Sequence, residues 1–89
     1  MKELAKIVSK NLIEMGADGF TIVIENDSIH VTKTVGLVAW ILIVVPQAYS
    51  LVRRYDMNVI PLEPETVKCT GCIKEAIAYY TGAVMIGGK

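Results

Sequence analysis

From Thr34 to Val52 the chain runs for 19 residues without a charge, and any fold it adopts must find cover for that stretch. The length suffices for a membrane-spanning helix, with Lys33 on one side and Arg53-Arg54 on the other as flanks. Against a span, Pro46, Gln47 and Ser50 interrupt the second half. Val35, Val38, Ile41, Ile43, Val44 and Val45 load the first half with β-branched side chains that suit strands. The stretch is therefore read as a strand from about Leu37 to Val45, followed by a helix that Pro46 opens. A strand apolar on both faces is expected at the centre of a parallel sheet, with helices on each side.

Upstream of this run, Lys2 to Met15 places Leu4, Ile7, Val8, Leu12 and Met15 on one helical face, with Lys2, Lys6, Lys10 and Glu14 mostly opposite. An amphipathic helix ended by Gly16 is predicted. Two alternating runs follow, Phe20 to Glu25 and Ser28 to Lys33, separated by Asn26-Asp27. Both loop residues tolerate the positive φ of a type I′ hairpin turn. A two-residue loop pairs Ile24 with Ile29 and Ile22 with Val31 on one face, and Val23 with His30 and Thr21 with Thr32 on the other.

Downstream, Asn58 to Leu62 reads as a short strand, and Glu63-Pro64-Glu65 as a helix start with acidic charge near the positive end of the dipole. Cys69, Ile73, Ala76, Ile77 and Tyr80 then form a stripe at helical spacing, and Gly82 ends that helix before a last strand, Ala83 to Ile86. The predicted order is α-β-β-β-α-β-α-β. It describes a single α/β domain over residues 1–89, with a small mixed sheet, about three helices, parallel strand-helix-strand units and an antiparallel hairpin at one edge.

A chain of 89 residues buries only about 60 to 65% of the surface its unfolded form exposes. Its 53% hydrophobic and 20% charged residues nevertheless suffice for a core. Nine basic residues balance nine acidic ones, and Arg53-Arg54 is the only adjacent basic pair, so a nucleic-acid partner is not expected. A membrane is not the expected partner either. The surplus of apolar surface on so small a chain, including Trp40, Tyr49, Tyr55, Tyr79 and Tyr80, points to self-association as a homodimer. Two cysteines spaced by two residues could staple only a tiny loop, and no signal peptide precedes the first helix, which favours the cytoplasm.

Cys69 and Cys72 form the one constellation with recognised chemistry. At the first turn of a helix such a pair can cycle between dithiol and disulfide, Lys68 and Lys74 favouring the thiolate. If the helix instead begins at Pro64, Cys69 joins the core stripe and its thiol is buried. A third use is half of a metal site completed by a second copy of the chain. The strand Asn58 to Leu62, the segment Cys69-Thr70-Gly71-Cys72 and the following helix together resemble part of the thioredoxin-like family, over less than a third of the chain. The resemblance implies thiol–disulfide exchange with Cys69 attacking. That family also presents a cis-proline downstream, whereas no proline follows Pro64 here.

For a parallel sheet, ligands favour the crevice beyond the carboxyl ends of the strands, which selects Pro46, Gln47, Glu65 and Thr66 as candidate binding residues at helix N-termini. His30, alone on the outward face of a hairpin, reads as a surface residue. No cofactor is implied. The general expectation is a small interaction or ligand-binding module that self-associates, with thiol–disulfide chemistry or a metal-bridged dimer at Cys69 and Cys72 as the alternative.

Overall fold

The computed structural model describes residues 1–87. Their order is α1 (Lys2–Glu14), β1 (Thr21–Glu25), β2 (Ser28–Val35), β3 (Val38–Val45), β4 (Tyr49–Asp56), β5 (Pro64–Thr70) and α2 (Ile73–Gly87). The strands form one sheet in the order β1-β2-β3-β4-β5, and every neighbouring pair is antiparallel. The expected mixed sheet with three helices is thus corrected to a five-stranded antiparallel meander with two helices, and no parallel pair occurs among the described residues.

The helix stop and the hairpin register near the N-terminus take the expected form, but of the two turn residues only Asn26 has a positive φ, so the turn is not the expected type I′. Gly16, at φ +87, closes α1: its N–H donates to the Ile13 carbonyl and that of Ala17 to the Leu12 carbonyl, the paired bonds of a Schellman motif. The hairpin register is Thr21↔Thr32, Ile22↔Val31, Val23↔His30 and Ile24↔Ile29, with Asn26 at φ +42 in the turn.

Pro46 accounts for the largest difference. Its fixed φ suits the first turn of a helix and equally the second position of a β-turn. Here the Ala48 N–H donates to the Val45 carbonyl at 3.2 Å, and Gln47 follows Pro46 at φ +63, the type II pattern. With so short a connection β4 has to return beside β3, because a parallel partner needs a crossover of a dozen or more residues. The expected helix after Pro46 is therefore the strand Tyr49–Asp56. Gly36, at φ +62, makes a similar reversal between Val35 and Val38, which are paired, and Gly is the residue that opens a two-residue turn of this kind.

Three other expectations change in the same region. Asn58 to Leu62 is irregular connection rather than strand. Pro64 opens edge strand β5 instead of a helix, at a position where no ladder donor is lost. Gly82 and the expected last strand, Ala83 to Ile86, lie inside α2. A glycine costs about 1 kcal/mol within a helix, and the continuing stripe of Ala76, Ile77, Tyr80 and Val84, all buried, outweighs it.

Both helices contribute to one core. Val8 and Leu12 of α1 and the α2 stripe pack with Ile29, Val31, Trp40, Leu42, Val44 and Val52 of the sheet. Tyr80, 1% exposed, donates its hydroxyl to the Trp40 carbonyl at 2.9 Å and lies 3.3 Å from the Val31 carbonyl. Burial raises its pKa above the ordinary 10.0.

Three outcomes are expected. Tyr80→Phe should lower the free energy of unfolding by about 1–2 kcal/mol through the lost buried hydrogen bond, measured by urea denaturation at pH 7. The Tyr80 contribution should be fully present below pH 10 and decline above it, because only the unfolded phenol ionises there. Gln47→Gly should raise the urea midpoint, by up to about 1 kcal/mol in stability, by relieving a side chain held at positive φ; a lower midpoint would contradict that turn geometry.

Candidate functional site

Residues directly opposite in an antiparallel pair share a face, so the register sorts the sheet into two surfaces. The first faces the helices and holds the core. The second carries Val23, His30, Ile43, Leu51 and Cys69 in one cross-strand row, and Thr21, Thr32, Ile41, Arg53 and Thr66 in the next. A third row runs Thr34, Ala39, Tyr55 and Pro64, and Val45 faces Tyr49 at the opposite end. None of these residues belongs to the core cluster or to the side chains packed on it. No element covers this face among the described residues.

The composition of that face is unusual for an exposed antiparallel surface, which ordinarily alternates with the core face as polar against apolar. Strand β3, Val38–Val45, has no polar residue at all, so it presents Ala39, Ile41, Ile43 and Val45 to the open side, flanked by Leu51 and Tyr55 of β4. Ile41, Ile43, Val45, Leu51 and Tyr55 are shielded only in part, while Val23 and Tyr49 are 45% and 46% exposed. Its ionisable groups are few. His30 Nε2 lies 2.9 Å from Ser28 Oγ and 3.9 Å from a Glu25 carboxylate oxygen. Arg53 has a buried Nε with no hydrogen-bond partner among the described residues.

The thiols fall at the margin of this surface. Cys69 lies on edge strand β5, paired with Leu51, and Cys72 precedes α2. Both are free and exposed, so the buried-stripe expectation for Cys69 is corrected: the helix begins at Ile73. Cys72 is the helix cap, since its carbonyl accepts from the Ala76 N–H at 3.1 Å and its own N–H donates to Thr70 Oγ1 at 3.1 Å. The strand Asn58 to Leu62 that carried part of the thioredoxin-like resemblance is not formed; Cys69 lies within β5 itself, and the cysteine nearer the N-terminus of α2 is Cys72. No group of three or more potential metal-ligating side chains occurs there either.

Beside the thiols, Lys68 Nζ is 2.9 Å from Glu75 Oε1, tying β5 to the first turn of α2. The hydrogen bond and charge of Lys68 hold the Glu75 carboxyl below its ordinary range, and the same contact raises Lys68. The four expected ligand residues are not brought together. Pro46 and Gln47 form the β3–β4 turn, whereas Glu65 and Thr66 lie on β5 opposite Arg54 and Arg53, toward the other end of the sheet. Pro46 and Gln47 line a shallow cleft with Asp27 and with Met1, the N-cap of α1, whereas Glu65 and Thr66 lie within β5. No described helix is long and apolar enough to cross a membrane.

No family model matches this chain, and neither a curated protein nor a solved structure matches it.

The open-face residues Ile41, Ile43, Leu51, Arg53 and Tyr55 escape a reading by motif, because nothing in them is chemically distinctive. Their signal is the apolar character of both alternating sets in Val38–Val45, which demands cover on two sides.

For the Lys68–Glu75 contact, the depressed carboxyl contributes stability above the ordinary glutamate value of 4.5 that is lost as pH falls through the lowered one. The raised ammonium contributes below 10.5 and loses that contribution as pH rises past it. Glu75→Gln should therefore flatten the acid limb of a plot of urea midpoint against pH, relative to the unaltered chain; superimposable acid limbs would show that the contact contributes nothing.

Proposed function

We propose that this protein is a self-associating interaction module that works as a homodimer through the open face of its sheet. The observation that carries the reading is the wholly apolar strand β3, covered by helices on one side only. A second sheet supplies the missing cover, since sheets pack face to face at about 10 Å with interdigitating side chains.

The dimensions and charge suit a copy of the same surface. Five strands at about 4.8 Å spacing, each about seven residues long, span roughly 550 Å² in plan. Side-chain relief adds to that area, which brings two such faces near the lower bound of about 1,200 Å² for a stable interface. One carboxylate, Glu25, and one guanidinium, Arg53, share the face, so a copy of it meets no excess of like charge. A two-fold axis places the same patch on both subunits. Free thiols at Cys69 and Cys72 accord with a reducing compartment such as the cytoplasm.

Sedimentation at micromolar concentration should give twice the chain mass, and Ile43→Lys, at the centre of the face, should give a monomer with unchanged far-UV circular dichroism. Cys69, in the Ile43 row, should alkylate more slowly as protein concentration rises, while Cys72 keeps its rate. A chelator should leave the dimer intact, which separates it from a metal-bridged pair through the cysteines. A single chain mass up to millimolar concentration would sink the proposal. A second reading, thiol–disulfide exchange, draws on the exposure of both thiols and on Cys72 at the cap of α2; it requires one of them to react with a disulfide reagent faster than a free cysteine at pH 7.

A further inference from the structure

On the helix side of the sheet, away from the open face, a cleft of about 170 Å³ lies between the α1–β1 connection, the end of β2 and α2. That is close to the volume of an apolar cavity that accepts a single six-membered ring. Phe20, Val35, Val84 and Met85 give it apolar walls, and its polar lining includes Asp18 of the α1–β1 connection, Lys33 of β2 and Thr81 of α2.

Thr81 is 5% exposed, and its hydroxyl has no hydrogen-bond partner among the described residues. Burying a hydroxyl without a partner is costly, and such a group in the wall of a cleft marks a position where a ligand can supply the missing bond. Lys33 Nζ donates to the Asp18 carbonyl and, at 3.0 Å, to Asp18 Oδ1. Two of its three donors are thus engaged and one is left. The Asp18 side chain is itself 92% exposed and holds the ammonium from the solvent side.

We propose that this cleft is a binding site for a small monocarboxylate with a ring-sized apolar body. The apolar part fills the space between Phe20, Val35, Val84 and Met85. Its carboxylate accepts from the remaining N–H of Lys33 and, after a small adjustment of the α2 wall, from the Thr81 hydroxyl. The charge-assisted bond to Lys33 supplies the selectivity for an anion.

Benzoate is the probe, followed by amide chemical shifts of the intact chain, with benzyl alcohol as the uncharged comparison. Saturable shifts are expected in residues 17–20, 33–35 and 80–85, with benzyl alcohol binding at least about tenfold more weakly. Lys33→Met should weaken benzoate by about tenfold or more, and Lys33→Arg should restore most of it. Thr81→Val is the second, independent measure: it should weaken benzoate while leaving the unliganded protein as stable or more so, since it removes an unpartnered hydroxyl. Absence of saturation, shifts confined to other residues, equal binding of the alcohol, or a destabilised Thr81→Val chain would each overturn the assignment. Because the cleft lies on the helix side, Ile43→Lys should bind benzoate unchanged, so failure of the dimer and failure of this site are distinguishable.

Discussion

Strand β3 has to be covered on both faces and paired on both edges, and the rest of the structure answers that demand. Its eight residues include no polar side chain, so each face withdraws from water by packing and each backbone edge by hydrogen bonding. The pairing comes from β2 and β4, its neighbours in sequence, through connections short enough to allow only antiparallel return. Cover for one face comes from α1 and α2. The second face has none within the described chain, and this asymmetry sets the functional reading.

The helix-side packing is fastened by polar contacts at two points. Tyr80 reaches through the core to backbone carbonyls near the β2–β3 seam, which fixes where along the sheet α2 lies. Lys68 and Glu75 join the edge strand to the first turn of the same helix. The first contact is buried and depends on the phenol staying protonated; the second is exposed and depends on both partners being charged. Together they position α2 so that its stripe from Ala76 to Val84 completes the core, and so that Thr81 lines the cleft beside Lys33.

The cysteine pair shows how placement decides chemistry. On a single helix, Cys69 and Cys72 would share the dipole and a common environment. Divided between an edge strand and a helix cap, they differ: Cys69 belongs to the open face, opposite Leu51, and Cys72 is the group next to the N-terminus of α2. Their surroundings therefore differ, one thiol lying on the sheet and the other beside the start of the helix.

The sequence by itself determined the features that close within a few residues. Gly16 at the end of α1 and Asn26-Asp27 between alternating runs specify their backbone conformations locally, so the helix stop and the hairpin register were legible. The demand of Val38–Val45 for cover on two sides was legible as well. Only the tertiary structure decided what provides that cover. Pro46 is compatible with a helix start and with a turn because both use the same φ, Pro64 is tolerated at a helix start and at an edge strand for want of a needed N–H, and Gly82 is overridden by the burial of Tyr80 and Val84. In each case the local preferences differ by about 1 kcal/mol or less, and pairing or packing with distant residues settles the outcome. The open face follows from that settlement: once β4 returns antiparallel, no helix among the described residues is left to cross to the far side of the sheet.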